Sequence, residues 1–146
     1  MKNKFSASII ANWFLQKDES MKNDVMKVLK LVYISHGFHL ALTEDPLVAE
    51  GIQAWQYGPV IPELYFQLKA ENLLISPADK LLFDEDKFLH NFLEAIYKKY
   101  GHLNGARLSN LTHQKDTPWD ITVNRFESLI KNEIIKAHYK SILGKN

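Results

Sequence analysis

Residues 25–42 read VMKVLKLVYISHGFHLAL, the longest helical pattern in the sequence. Apolar side chains recur in it every three or four residues, which is the spacing of a helix that buries one broad face. The buried stripe is formed by Val25, Leu29, Val32, Tyr33, His36 and Leu40. The pattern predicts a long helix that ends before Pro46, because proline disfavours the α conformation in the residue that precedes it.

Two residues inside this helix carry further information. A mid-helix glycine costs about 1 kcal/mol relative to alanine, so Gly37 indicates either that another element crosses the helix closely at that point or a chance occurrence. His36 falls on the apolar stripe, where a hydrogen-bonded core histidine is the most common outcome.

The remaining pattern predicts a mainly α protein, a compact bundle of five or six helices with one short β-hairpin near residues 47–57. Further helices are expected over residues 5–14, from Pro62 to about Glu71, over 88–100, and at the end from Phe126 to Ile142. Residues 106–112 are a candidate for a short additional helix, and Pro118 has the position of a first helical residue after a cap. Residues 72–84 are expected to form a loop. We expect a single domain over residues 1–146, which is an ordinary domain length.

Composition excludes several kinds of function. The net charge of +1 gives no global electrostatic reason to bind nucleic acid, although the terminal helix is locally basic, with Arg125, Lys131, Lys136, Lys140 and Lys145. A solvated face explains this basic character as well as nucleic-acid contact does. The absence of cysteine excludes disulfides, thiolate zinc sites and cysteine nucleophiles, and it fits a reducing compartment.

The N-terminus does not have the pattern of a signal peptide. Residues 1–4 are basic, but Ser6, Ser8 and Asn12 interrupt the apolar stretch that follows, and no small-residue cleavage site comes after it. No apolar run approaches the roughly 20 residues that span a bilayer. We therefore expect a cytoplasmic protein without a membrane partner.

The sequence offers only weak candidates for catalysis or metal binding. His36, His39 and His113 include one pair three residues apart, but no second ligand pair has metal spacing, so a small metal-dependent enzyme is a minor alternative. Ser109 and His113 are four residues apart, as a nucleophile and its base would be, yet no nucleophile elbow or orienting acid accompanies them. No glycine pattern for phosphate is present. We expect no enzyme, no catalytic residue, no metal and no cofactor.

Residues 54–65, AWQYGPVIPELY, are the most distinctive stretch. Tryptophan and tyrosine supply wide, stiff contact area, and proline reduces the entropy lost on ordering. This combination is typical both of a tight corner of the core and of a binding surface. The residues alone do not decide between the two.

Three blocks of the sequence resemble one known family. Residues 54–65 are similar to the "AW-x-YGPV-x-PELY" signature of the SocA-like, Panacea-domain antitoxins, which include phage-associated GepA-type proteins. Upstream, residues 30–41 resemble the family's "KL-x-Y-x-x-(H/Q)G" helix, and Pro46, Leu47 and Glu50 its "PL-x-x-E" element. Downstream, residues 108–119 look like its "LS-x-x-TH…PW" element. The blocks stand in the family's order.

The resemblance implies a binding function. It indicates an antitoxin whose partner is a cognate protein toxin encoded beside it, and which neutralises that toxin by direct contact. The alternative is an adaptor that delivers the toxin to a AAA+ protease. We expect residues 55–65 and 108–119 to form one corner, part core and part contact surface. The candidate partner-binding residues are Trp55, Tyr57, Pro59, Glu63, Tyr65, His113 and Trp119, for each of which a buried structural role is about equally plausible.

Overall fold

Helix α2 (Val25–Thr43) is the core of the fold in this computed structural model, which describes residues 4–144. Asp24 accepts a hydrogen bond from the Lys27 N–H at 3.2 Å and so caps the start of the helix. Every residue from 28 to 40 is buried, so neighbouring elements surround the helix on all sides. By length and composition α2 would also pass for a membrane span, but 78% of that window is buried inside the fold, as in the core helix of a folded domain.

The other elements follow one another closely along the chain. They are α1 (Ala7–Lys17), a 3-10 helix (Glu19–Asn23), β1 (Ile52–Trp55), β2 (Gly58–Val60), α3 (Pro62–Lys69), α4 (Pro77–Glu85), α5 (Lys87–Tyr100), α6 (Gly105–Thr112), α7 (Pro118–Asn124), β3 (Leu129–Ile130) and α8 (Asn132–Leu143). The predicted class, mainly α with a short hairpin, is confirmed. Residues 1–3 of the basic N-terminus, and Lys145 of the basic C-terminus, lie outside the described residues.

Gly37 marks a close crossing of two helices. The ring of Tyr139 on α8 lies against it, so an added Cβ would come within 2.9 Å of the ring's Cγ and closer still to Cδ2 and Cε2. The ring is buried and packs edge-on against Phe38, with centroids 4.7 Å apart. Of the two explanations for this glycine, the close crossing is therefore the correct one.

The three strands form an antiparallel sheet in the order β2-β1-β3. The hairpin pairs Gln53 with Val60 and Trp55 with Gly58, which leaves a two-residue turn at Gln56 and Tyr57. It therefore begins and ends later than the expected 47–57. Pro59 is tolerated because β2 is an edge strand, where a missing N–H breaks no ladder hydrogen bond.

The described residues form more helices than the five or six expected, and two predicted segments were wrong. Residues 72–84 are not all loop: Ser76 accepts from the Asp79 N–H, and Pro77 opens α4 at its first position. The terminal helix begins at Asn132 rather than near Phe126. Pairing of Leu129 and Ile130 with β1 prevails there over the helical spacing.

The segment before β1 ties α1 to the sheet. Phe5 and Val48 form an isolated parallel bridge. The Ala7 N–H, at the start of α1, donates to both carboxylate oxygens of Glu50, at 2.9 and 3.1 Å. Glu50 thus caps a helix more than forty residues away in sequence, where its negative charge also suits the helix dipole.

Candidate functional site

Side chains from three different helices hold the backbone of the hairpin. The indole N–H of Trp119, on α7, donates to the Trp55 carbonyl at 2.6 Å. The hydroxyl of Ser109, on α6, donates to the Tyr57 carbonyl through a short hydrogen bond. Elements that are far apart in sequence therefore converge on the carbonyls of alternate hairpin residues.

The third of these side chains is Lys30, on α2. It is fully buried, and its Nζ donates to the Pro59 carbonyl at 2.8 Å. Burial lowers the pKa of Lys30 to about 7, since removal from water disfavours the charged amine. Gly58 has a φ of +119°, and a Cβ there would meet the Lys30 Nζ at 3.2 Å. Only glycine fits both the backbone conformation and the space.

Two aromatic side chains of the same hairpin, Trp55 and Tyr57, reach the surface. Tyr57, in the turn, is 60% exposed. Trp55 is half-buried and packs edge-to-face with Tyr65, whose ring centroid is 5.4 Å away. Phe66, next to Tyr65 on α3, is 62% exposed, and its ring lies 6.4 Å from that of Trp55. Together they form an aromatic surface, which we define as Trp55, Tyr57, Tyr65 and Phe66.

A shallow groove of about 560 Å³ begins beside the turn. It is lined by Met26, Tyr57, Ala106, Ser109, Asn110 and His113. The His113 ring is half-buried and meets the Trp119 ring edge-on at 5.3 Å, and its Nδ1 is bonded to the Ser109 carbonyl. The groove therefore continues the aromatic surface towards α6.

The structure brings most of the sequence-predicted site residues together. Trp55, Tyr57, His113 and Trp119 are linked by the hydrogen bonds and ring contacts above, and Tyr65 joins them through Trp55. The other two residues do not take part in these contacts. The Pro59 side chain is buried, and its carbonyl accepts the hydrogen bond from Lys30. Glu63 is exposed on the first turn of α3.

Sequence reasoning missed two residues of this site and gave a third a different role. Phe66 lies on the solvent side of α3, whose buried residues are Leu64 and Leu68, so the helical spacing of that segment was enough to find it. Lys30 gave no comparable signal, because a lysine inside an apolar helix normally indicates an exposed position. Ser109 was considered in the sequence, but as a nucleophile and not as a donor to the hairpin.

The predicted core histidine is confirmed at His36. Its Nδ1 accepts from the Leu47 and Val48 N–H groups, both at 3.3 Å, so Nε2 carries the proton and donates to the Asn132 side-chain oxygen at 2.9 Å. Burial lowers the pKa of His36 to about 4. The ring is neutral near pH 7, and both nitrogens are engaged.

The other candidate arrangements are not assembled. The Ser109 hydroxyl donates to the Tyr57 carbonyl, while His113 bonds the Ser109 backbone, so the two are not arranged as nucleophile and base. No group of three or more His, Asp or Glu side chains with metal-binding geometry occurs within residues 4–144. On the basic terminal helix, Lys136 and Lys140 both form ion pairs with Glu44, which offsets part of its positive charge.

Comparison with known proteins gives two matches and one negative result. A family model described as "Antitoxin SocA-like, Panacea domain" matches residues 28–120, which contain the hairpin and the three residues that hold it, Lys30, Ser109 and Trp119. A curated relative named "Antitoxin SocA", from Caulobacter vibrioides (strain NA1000 / CB15N), is 26% identical over 132 residues, covering 81% of this chain and 70% of that protein. No solved structure matches.

Proposed function

The chain belongs to the family of SocA-like antitoxins with a Panacea domain, and from this premise we propose that it neutralises a cognate protein toxin by direct binding. The family name indicates a non-enzymatic role and a toxin partner in general. We place the contact with the toxin on the aromatic surface and the adjoining groove. The reducing cytoplasm is the compartment that suits a chain without cysteine.

The observation that supports this site is the exposure of large aromatic rings on a rigid support. Tyr57 and Phe66 each leave about 60% of their surface to solvent, although aromatic rings are the side chains that gain most from burial. The hairpin backbone is held by Trp119 at Trp55 and by Ser109 at Tyr57, and Phe66 lies on the helix α3, so little conformational freedom remains to be lost on binding. Aromatic anchors on a rigid support are typical of the residues that dominate protein interfaces.

The predicted residues take distinct roles in this proposal. Trp55, Tyr57 and Tyr65 contact the toxin together with Phe66, which the structure adds. The remaining predicted contacts form the rim of the surface and are Glu63, His113 and Trp119. Pro59 supports the turn from inside and does not contact the partner.

Co-expression tests the function itself. The gene adjacent to the one that encodes this chain is expressed alone and together with it, and the chain carries an affinity tag. We expect growth arrest by the neighbouring gene product, relief on co-expression, and copurification of the two proteins. Unrelieved arrest without copurification would overturn the proposal. If relief disappears in a strain that lacks its AAA+ proteases, and the toxin level stays stable in that strain, the chain delivers the toxin to a protease and does not neutralise it by binding alone.

Paired variants test the site. Tyr57→Ser and Phe66→Ser remove exposed rings, whereas Leu81→Ser on α4 removes a side chain that is 67% exposed and belongs to a different element. We expect each ring variant to weaken toxin binding by about thirtyfold or more, the loss typical of a central interface residue. Leu81→Ser should bind like the wild type. Equal affinities for all four proteins would show that the toxin binds elsewhere.

A further inference from the structure

We propose that Lys30 is a positioning residue for the binding surface: its buried amino group holds the Pro59 carbonyl and thereby fixes the turn from which Tyr57 projects. The effect on toxin affinity rests on the proposed function. The effect on the turn does not, and the two are measured separately below.

The first argument is the unusual position of this lysine. Lysine is almost never fully buried unless it is paired with an opposite charge, yet none of the ion pairs formed within residues 4–144 includes Lys30. Its hydrogen-bond partner is the neutral carbonyl of Pro59. An apolar residue would fill the space without the cost of desolvating an amine, so stability alone gives no reason for lysine here.

The second argument is the coupling between Lys30 and the shape of the turn. Gly58 adopts a φ of +119°, and its Cα lies so close to the lysine that any side chain at 58 would press on Nζ and Cε. The Thr112 hydroxyl oxygen would lie 3.4 Å from the same added Cβ, on the α6 side. Lys30 and the turn are therefore in direct contact, so that a change at the amino group alters the immediate surroundings of Gly58.

The third argument concerns what the hydrogen bond restrains. The Tyr57 carbonyl belongs to the two-residue turn, and the Pro59 carbonyl lies two residues further along, on β2. Trp119 holds the Trp55 carbonyl before Tyr57, whereas Ser109 and Lys30 hold the Tyr57 and Pro59 carbonyls that follow its Cα. The backbone that bears the Tyr57 ring is therefore fixed on both sides, and Lys30 contributes to the hold on the C-terminal side. Release of the Pro59 carbonyl would leave the ring to be ordered when the partner binds, which lowers affinity without removing any contact.

Protonation provides a readout that a passive core residue would not show. The neutral amine is compatible with the buried site, whereas the ammonium ion requires further partners or water and so favours opening of the turn. The strands beside Lys30 contribute no titratable side chain. The titratable residues of α2 closest to it are Lys27, Tyr33, His36 and His39; α6 carries Arg107 with His113 directly after the helix, and the turn carries Tyr57. His113 is the member that must be separated from Lys30 experimentally.

The test compares wild type with Lys30→Met, which keeps the length and apolar stem of the side chain and removes its donor. Amide hydrogen exchange of Tyr57 and Gly58 is measured by NMR, together with unfolding by urea. We expect the variant to fold, with exchange in the turn about tenfold faster or more while α2 keeps its wild-type protection. Affinity for the toxin, the neighbouring gene product, should fall about tenfold. Wild-type exchange and wild-type affinity in Lys30→Met would overturn the proposal.

A second measurement uses the unaltered chain, in case the variant does not fold. The ¹⁵Nζ signal of Lys30 and the amide signal of Gly58 are followed from pH 5.5 to 9, in wild type and in His113→Gln. We expect both signals to titrate with one shared midpoint near neutral pH in both proteins. A Gly58 signal that is insensitive to Lys30, or that loses its titration in His113→Gln, would overturn the proposal. If wild type binds no toxin, the proposed function fails while the exchange and titration results still decide the role of Lys30.

Discussion

The substitution Gly37→Ala tests the close crossing of α2 and α8. An added Cβ would lie 2.9 Å from Cγ of Tyr139 and closer to two further ring atoms, so the ring must move by about an ångström. Phe38 limits that movement, because its ring already packs against Tyr139 with centroids 4.7 Å apart. Overpacking of this kind costs about 3 kcal/mol, at the upper end of the usual range. The gain in helix propensity offsets about 1 kcal/mol. We expect a net loss of about 2 kcal/mol.

Repeating the substitution in a Tyr139→Ala background separates the two effects. Without the ring, the new methyl group meets space, and only the propensity gain of about 1 kcal/mol remains. Gly37→Ala should therefore destabilise the wild type and stabilise the Tyr139→Ala protein. Urea unfolding of the four proteins, followed by circular dichroism, measures the change in free energy of unfolding in each background. An osmolyte is added if the Tyr139→Ala protein is only marginally stable. The same sign in both backgrounds would show that the ring is not what requires glycine.

Three further predictions concern stability. Glu50→Ala removes the cap of α1 and should lower the free energy of unfolding by about 1 kcal/mol in urea. Trp119→Phe keeps a ring but leaves the Trp55 carbonyl without its indole donor, at a cost of about 1–2 kcal/mol by thermal unfolding. The pKa of Lys30 is about 7 in the folded chain, against 10.5 for a lysine exposed to water. At pH values between these two, the unfolded chain therefore keeps this lysine protonated while the folded chain has released the proton. Stability should rise with pH from about 7 to 9.5, by up to about 1.4 kcal/mol per unit, and Lys30→Met should lose this rise.

Much of the fold could be predicted because its helices carry strong local signals. The stripe of α2 and the three- and four-residue repeat of α5 each identify a helix without reference to any other part of the chain. One error occurred where a long-range contact decides the outcome. Residues 129–130 have the spacing of the helix that follows them, and only the β1 edge, far earlier in the chain, makes them a strand. At α4 a local signal, serine followed by proline, was present but was outweighed by the mixed composition of the segment.

The candidate site was predictable in its location but not in its construction. The concentration of aromatic residues and prolines in residues 54–65 indicated the hairpin, and Leu108 to Trp119 were expected beside it. What periodicity cannot show is a side chain that reaches a backbone carbonyl on another element. The hydrogen bonds of Lys30 and Ser109 to the hairpin are of this kind, since a carbonyl is present at every residue and leaves no mark on the sequence.

The choice that the sequence left open, between a tight corner of the core and a binding surface, disappears once backbone and side chains are considered separately. In the turn, the Tyr57 carbonyl faces inward to Ser109, whereas its ring faces solvent. A single residue can therefore serve both purposes, because the inward hydrogen bond fixes the direction in which the ring projects. It follows that substitutions at Ser109 or Lys30, neither of which is exposed, should alter toxin binding through the turn, whereas changes to the Tyr57 ring should alter it by direct contact.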